Sequence, residues 1–306
     1  MKWKKELSET LSKTPFEEEP MYKYTSLRIG GPAEVMVFPQ NIEELRNVLD
    51  LAARHNVPFF VIGHGTNLLV KDGGIRGIVL SLEDMSQYSY FEENSVKAGA
   101  AVKLSYLARE TIRLGLKGLE FASGIPGSLG GALFMNAGAY NNTVGKLVRK
   151  VVLIDRAGNL LERSGEEIKF GYRWSSLQEE KNVILEAVLD LIFGDKKEML
   201  SYAEEILRER QKKHPNLPSA GSFFRNPPSK SAGFLIEKAG LKGTSVGGAQ
   251  VSFQHGNFIV NKGEATAEDV LKLMEMVRKS VRNILGVELE PEVQIIGENC
   301  VNQERG

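Results

Sequence analysis

The chain has 306 residues, of which 42% are hydrophobic and 25% charged, and 31 glycines; 39 basic side chains balance 39 acidic ones. That composition can fill more than one packed core, which excludes global disorder, and the glycines follow no collagen period. A neutral chain without a dense basic run gives no footing for nucleic acid, and a single cysteine, Cys300, makes neither an internal disulfide nor a cysteine zinc site.

Lys2 to Lys13 reads as a short charged helix and Pro15 to Pro20 as a linker; neither carries the apolar segment of a signal peptide. Asn41-Ile42-Glu43-Glu44 is a capping-box-like start, with Ile42, Leu45, Val48, Leu49 and Ala52 on one helix face. Val57 to Ile62 is a compact apolar strand, followed by Gly63-His64-Gly65-Thr66-Asn67-Leu68. Leu68 to Val70 extends again before the turn Lys71-Asp72-Gly73-Gly74, and Ile75 to Leu80 is a further strand. Ser95 to Ala101 predicts a strand, and Val102 to Leu114 an amphipathic helix that stops at Gly115. Residues 115–145 hold eight glycines and no long periodic segment. Val148 to Asp155 and Asn159 to Arg163 predict a hairpin about Arg156-Ala157-Gly158, and Val183 to Phe193 a long apolar strand.

Asp195 to Lys213 is a charged helix that leads into His214-Pro215-Asn216-Leu217-Pro218. Residues 221–256 are glycine-rich again, and Phe258 to Asn261 is a short strand. Thr266 caps a long helix whose apolar stripe is Val270, Leu273, Met274, Val277, Val281 and Ile284. Val287 to Ile296 reads as the last strand. Composition shifts place boundaries near residues 90 and 194, dividing the chain into 1–20, 21–90, 91–194, 195–297 and a polar tail 298–306. Nothing approaches a membrane-spanning run, so a cytoplasmic protein without membrane or nucleic-acid partners is expected.

The first glycine loop is not a dinucleotide fingerprint, because Leu68 stands where the third glycine belongs and a turn and strand follow it rather than a helix. A Walker loop is absent too. Glycine-rich backbone can still cradle a pyrophosphate as a nest of amides. The second cluster, Gly124-Ile125-Pro126-Gly127-Ser128-Leu129-Gly130-Gly131-Ala132, could form an opposing wall, with Asn136-Ala137-Gly138-Ala139-Tyr140 beyond it. Each loop alone is equally a set of tight turns; the pair is better explained by one dinucleotide between them. In Ser219 to Pro227, Ser222 is either an exposed hydroxyl in an open site or a capping residue at a strand entrance. Arg173, in Gly171-Tyr172-Arg173, suits bidentate recognition of a carboxylate or phosphate, or a surface ion pair. Glu292 reads as a half-exposed residue at the start of an alternating strand. His55, His64, His214 and His255 lack metal-ligand spacing, so no metal is expected.

Taken in order, Gly63 to Leu69, Gly124 to Gly131, Asn136 to Tyr140, Gly171-Tyr172-Arg173, Ser219 to Pro227 and Leu289 to Gly297 resemble the UDP-N-acetylenolpyruvoylglucosamine reductase family. The resemblance runs from about Tyr24 to Gly297. It implies an α+β fold, with a two-subdomain FAD-binding unit of the vanillyl-alcohol-oxidase type over 21–90 and 91–194. A C-terminal α+β substrate-binding domain over 195–297 follows. It also implies the reaction, in which NADPH reduces non-covalent FAD and the flavin reduces the enolpyruvyl ether of a UDP-sugar to UDP-N-acetylmuramate, a peptidoglycan precursor.

By the same resemblance Arg173, Ser222 and Glu292 are catalytic. Arg173 and Glu292 would stabilise the enol-like intermediate, and Ser222 would protonate it. The flavin would be held by Gly63, His64, Gly65, Thr66, Asn67 and Leu68, and by Gly124, Ile125, Pro126, Gly127, Ser128, Gly130, Gly131 and Ala132, with Asn136, Gly138 and Ala139 beside them. Tyr172, Arg210, Lys213 and Asn226 would bind substrate. The short span from Arg173 to Ser222 matches the subtype without an inserted, tyrosine-bearing subdomain. A monomer is expected. Two alternatives stand: another flavin oxidoreductase acting on a hydroxy acid or alcohol, and a nucleotide-sensing module without turnover.

Overall fold

The computed structural model describes residues 2–300; Met1 and residues 301–306, the greater part of the expected polar tail, lie outside the described residues. Helices and mostly antiparallel strands are mixed along the chain in an α+β organisation. The chain divides into two units. One comprises the residues up to Phe16, Val35–His64 and Gly77–Arg210, and the other Glu17–Glu34, Gly65–Arg76 and the chain from Gln211 onward. The first glycine loop is therefore shared along the sequence, with Gly63 and His64 in the first unit and Gly65 to Leu68 in the second.

The first unit is built on an antiparallel sheet in the order Leu160–Ser164, Val148–Ile154, Val183–Asp190, Ser95–Gly99, Ser89–Glu92. The hairpin closes where Ile154 faces Leu160, and the Asp155 carboxylate fixes the turn by accepting from the Ala157 and Asn159 amides at 2.9 and 2.8 Å. Val151, Leu153, Ala187 and Leu189 share one buried core with Leu104, Leu107 and Ala108 of helix Leu104–Leu114. Helix Ile42–Arg54 buries Leu45, Val48, Leu49 and Ala52 in the same core, as their 3.6-residue spacing requires. Asn41 caps it by accepting from the Glu44 amide at 2.9 Å, while the Glu44 carboxylate turns back to the Gln40 and Ser12 amides.

In the second unit, strands Ser219–Ser222, Phe258–Asn261, Ala249–Val251 and Ser245–Val246 form an antiparallel sheet in that order. Its core is completed by helix Ala267–Leu285, which buries Val270, Leu273, Met274, Val277 and Val281. Thr266 and Asp269 make a full capping box at its start. Ile284, expected on that stripe, is 59% exposed, because the helix ends one residue later. Leu68–Val70 pairs in parallel with Gln294–Ile296.

Several expectations are corrected. Phe16–Pro20, read as a linker, is a strand beside Pro32–Val37; its glutamates and proline are what an edge strand tolerates, and they hid it. The first helix stops at Thr10. The run to Phe193 breaks after Asp190, and Ile192–Phe193 pairs instead with Leu116–Lys117. Only Gln294–Ile296 of the last predicted strand is extended in a ladder, because Pro291 offers no amide to one. Strand Ser89–Glu92 and helix Ala232–Lys238 carried no recognised pattern. Among the described residues no helix is long and apolar enough to cross a membrane.

Candidate active site

In the first unit the two glycine loops meet. A Cβ on Gly63 would stand 2.5 Å from Ser128 Oγ, so a larger residue there would displace that hydroxyl. Ser128 is buried and caps helix Leu129–Phe134 by accepting from the Gly131 amide at 3.3 Å. The amides of Leu129, Gly130 and Ala132 are also engaged, with Val102, Ala100 and Ser128 carbonyls at 2.8–2.9 Å. The amides of Leu129 to Ala132 are therefore spent inside the protein, and this turn presents a hydroxyl and bare glycine surface. Ile125, in the turn before it, donates to Ala122 at 3.0 Å.

Beside this contact, burial pushes the His64 imidazole below its ordinary value of 6.5; the Gly127 backbone opposes the shift. Its Nε2 is buried without a hydrogen-bond partner, and so is Ser123 Oγ at the entrance of the second loop. A Cβ on Gly124 would lie 2.3 Å from Arg210 Cδ, which places the arginine stem directly over that glycine. Burial also lowers the pKa of Arg210, with Tyr140 opposing. A guanidinium keeps its charge through such a shift, so this unit holds a partly desolvated cation against a glycine loop. Bare backbone, two orphaned buried polar atoms and a cation fit a pyrophosphate-containing nucleotide such as FAD.

Arg173 sits at the tip of a two-residue hairpin in which Phe170 faces Ser175 and Gly171 faces Trp174. Its φ of +54° is unusual for a non-glycine residue, and such conformations concentrate at functional sites. The guanidinium donates to the Gly138 carbonyl at 3.2 Å and stacks 5.0 Å from the Tyr172 ring centroid. Asn136, only 4% exposed, donates from Nδ2 to the Gly171 carbonyl at 2.8 Å and accepts at Oδ1 from the Gly145 amide at 3.1 Å. Asn136 and Gly138 thereby tie the Asn136–Tyr140 stretch to the arginine turn, while Ala139 pairs with Asn142.

The second unit gathers the other two catalytic candidates. Ser222 ends strand Ser219–Ser222 opposite Phe258, and the register slips between Ser219 and Ser222. Gly221 makes that slip possible with φ +79° in open space, a conformation that a side chain would strain. Phe223 and Phe224 follow, fully buried, and anchor the segment. The Phe223 carbonyl accepts from the Glu292 amide at 2.8 Å, the Arg225 amide donates to Glu290 at 2.8 Å, and Phe224 bridges Pro291. The Ser222 and Glu292 segments are thus locked side by side. Asn67 joins them from the glycine loop, donating from Nδ2 to the Glu292 carbonyl at 3.2 Å and accepting from the Gln294 amide at 2.9 Å. Leu68 then faces Gln294 in the parallel ladder. Gly65 accepts from the Ser26 amide at 3.1 Å, with Thr66 beside it in the same loop. Asn226 accepts from the Ala232 amide at 2.9 Å, and Lys213 is the last residue of helix Lys196–Lys213.

One residue in this constellation carried no signal in the sequence. Asn257, in a Gly-Asn-Phe turn, is 3% exposed and bonds both polar backbone atoms of Phe224.

A profile of the FAD binding domain matches residues 33–164, and one of the UDP-N-acetylenolpyruvoylglucosamine reductase C-terminal domain matches residues 212–296. The UDP-N-acetylenolpyruvoylglucosamine reductase of Caldanaerobacter subterraneus subsp. tengcongensis is 47% identical over 281 residues, 92% of this chain and 93% of that protein. That of Clostridium novyi is 41% identical over 300 residues, 97% of each chain. The crystal structure of the reductase from Thermus caldophilus superposes with a TM-score of 0.80 at 36% identity, covering 91% of this chain and 98% of that one. The expected α+β class, an FAD-binding unit followed by a C-terminal domain, is borne out by these matches. With both domains in order and the likeness spread over more than nine-tenths of its length, the chain belongs to the UDP-N-acetylenolpyruvoylglucosamine reductase family and is an FAD-dependent oxidoreductase.

Proposed function

We propose that the protein uses NADPH and non-covalent FAD to reduce UDP-N-acetylenolpyruvoylglucosamine to UDP-N-acetylmuramate, in the cytoplasm and as a monomer. The observation that carries this is the pairing of the Ser222 and Glu292 segments through the Phe223–Glu292 backbone bond. The reading keeps 21–90 and 91–194 as the FAD-binding subdomains and 195–297 as the substrate-binding domain. Bound FAD supplies hydride transfer, from NADPH to the substrate carbon β to its carboxylate.

The roles of the chain's own groups follow from where charge develops. Hydride addition at the β carbon puts negative charge on the substrate carboxylate. Arg173 stabilises that charge with a fixed guanidinium, and Glu292 stabilises the enol form by hydrogen bonding. Ser222 Oγ gives its proton to the α carbon. A hydroxyl is a weak acid, and it serves because a carbanion-like carbon is a strong base. Gly63 to Leu68, Gly124 to Ala132 and Asn136 to Ala139 hold the flavin nucleotide. Tyr172, Arg210, Lys213 and Asn226 bind substrate, the cations at its diphosphate.

Following NADPH absorbance with and without the enolpyruvyl substrate tests the whole. Ser222→Ala should leave flavin reduction by NADPH intact and slow reoxidation by substrate by about 10²–10⁴-fold, the usual worth of a positioned acid. Equal loss in both half-reactions would make Ser222 structural, and a colourless protein that binds no FAD would sink the enzyme reading. Acid precipitation should release the yellow colour to the supernatant; colour in the pellet would mean a bond to His64.

A further inference from the structure

We infer that Asn257 is a positioning residue for the protonation step, holding the Ser222 and Glu292 segments in register through the backbone of Phe224. The inference rests on the roles proposed for Ser222 and Glu292. Its geometry lies wholly within the second unit. The Asn257 carboxamide accepts from the Phe224 amide at Oδ1, 2.9 Å, and donates from Nδ2 to the Phe224 carbonyl, 2.7 Å. A backbone amide can only donate, so the amide orientation is fixed by its partners. The Asn257 carbonyl also accepts from the Phe223 amide at 2.9 Å.

One residue therefore takes both polar backbone groups of Phe224 and one of Phe223, at the point where a bulged strand stops following its ladder partner. Strand Phe258–Asn261 pairs with Ser219 and Ser222 but offers nothing regular to the residues beyond them; the Asn257 side chain replaces the missing strand partner. Because Phe223 passes the constraint to Glu292 by its carbonyl, the Ser222 hydroxyl and the Glu292 backbone answer to the same clamp. Asn257 is held in turn by its own amide, which donates to His255 Nδ1 at 3.2 Å. The His255 ring packs against Phe258, the cross-strand neighbour of Ser222, with centroids 4.8 Å apart. An amide buried this deeply is costly to place unless both ends are bonded. Here both ends serve the single turn that presents the proton donor.

Asn257→Asp tests this, because a carboxylate keeps the acceptor but turns the donor into a charge facing the Phe224 carbonyl. A protonated carboxyl restores an O–H donor of the same shape, and burial beside a carbonyl favours that protonated form. The pre-reduced variant enzyme is mixed with enolpyruvyl substrate, and return of the flavin's visible absorbance is followed. At about pH 8 reoxidation should be about 10- to 100-fold slower than in the parent, the scale of a misplaced reacting group. Flavin reduction by NADPH should stay within about twofold. As pH falls towards about 6, the gap to the parent should close at least threefold, as the carboxyl regains its proton. Asn257→Ser, which shortens the clamp, should slow reoxidation alike and show no such recovery.

Equal slowing of both half-reactions, loss of FAD at every pH, or a gap that ignores pH would each overturn the proposal. Ser222→Ala, measured alongside, separates the two levels. If that variant reoxidises like the parent, the reading of Ser222 fails. If it is crippled while Asn257→Asp is not, only the clamp fails.

Discussion

In the first unit the candidate cofactor loops approach each other because side chains are missing. Gly63 lies against Ser128 and Gly124 beneath Arg210, at distances that leave no room for a Cβ. In the second unit the candidate catalytic segments are held by side chains that imitate backbone: Asn257 pairs with Phe224, and the Asn67 carboxamide donates to the Glu292 carbonyl. The difference follows from what is held. A loop facing a bulky, polar nucleotide gains from bare surface and unclaimed polar atoms. A bulged strand that must aim one hydroxyl gains from a rigid two-ended clamp. The arginine turn belongs to the first unit but uses the second unit's device, since Asn136 bonds Gly171 and Gly145 much as Asn257 bonds Phe224.

Within the first unit, the largest effect should come from the residue that its clamp serves. Arg173→Ala removes the charge proposed to offset the developing carboxylate charge and should slow substrate-dependent reoxidation by about 10²–10³-fold, leaving reduction by NADPH near normal. A loss confined to substrate affinity would recast Arg173 as a binding group. Asn136→Ala comes next. It leaves the Gly171 carbonyl and Gly145 amide without their partner, which should cost about 1–3 kcal/mol in urea unfolding and slow reoxidation with it. If only stability falls, the likeness between Asn136 and Asn257 is architectural and not functional.

Gly63→Ala probes the glycine device by itself. Its Cβ forces Ser128 Oγ aside and so breaks the cap of helix Leu129–Phe134, for about 1 kcal/mol. In a Ser128→Ala background the hydroxyl is already gone, and the same Cβ meets only Ser128 Cβ at an ordinary 3.6 Å. The cost of Gly63→Ala should then nearly vanish, and the non-additivity of the double-mutant cycle reads the contact directly. Additive costs would mean that Gly63 is needed for another reason.

The contrast also explains what could be read in advance. Helices Ile42–Arg54 and Ala267–Leu285 declare themselves through a 3.6-residue stripe and a cap, both local patterns. Glycine loops declare themselves too, because close approach leaves its mark on composition. Edge strands such as Phe16–Pro20 and Ser89–Glu92 bury little and therefore alternate poorly. The asparagine clamps are silent for a different reason: Asn136 and Asn257 reach partners 35 and 33 residues away. Nothing near either residue distinguishes a clamp from an ordinary turn asparagine. Ser222 and Glu292 are assigned catalytic roles only through resemblance, since their pairing runs through a backbone bond between distant segments.

Each unit carries one half-buried histidine whose pKa is lowered, and the two give the smallest effect and the most even-handed test. Burial lowers the pKa of His64 in the first unit and of His255 in the second below the ordinary 6.5; around His255, Lys242 and Lys213 act in the same direction and Glu237 opposes. A base whose folded pKa is depressed is protonated first in the unfolded chain. Stability is therefore complete above about pH 6.5 and is lost as pH falls through the folded values. The carboxylates with lowered values, Glu44 and Asp84 among them, withdraw their contribution only below their own ordinary values of 4.5 and 3.8. The interval between about 4.5 and 6.5 thus isolates the histidines. Urea midpoints should be flat from about pH 8 to 6.5 and then decline. His64→Gln and His255→Gln should each flatten part of that decline. If His255→Gln alone does so, the charge-sensitive burial lies with the clamped strand, and the glycine loop tolerates a proton on His64.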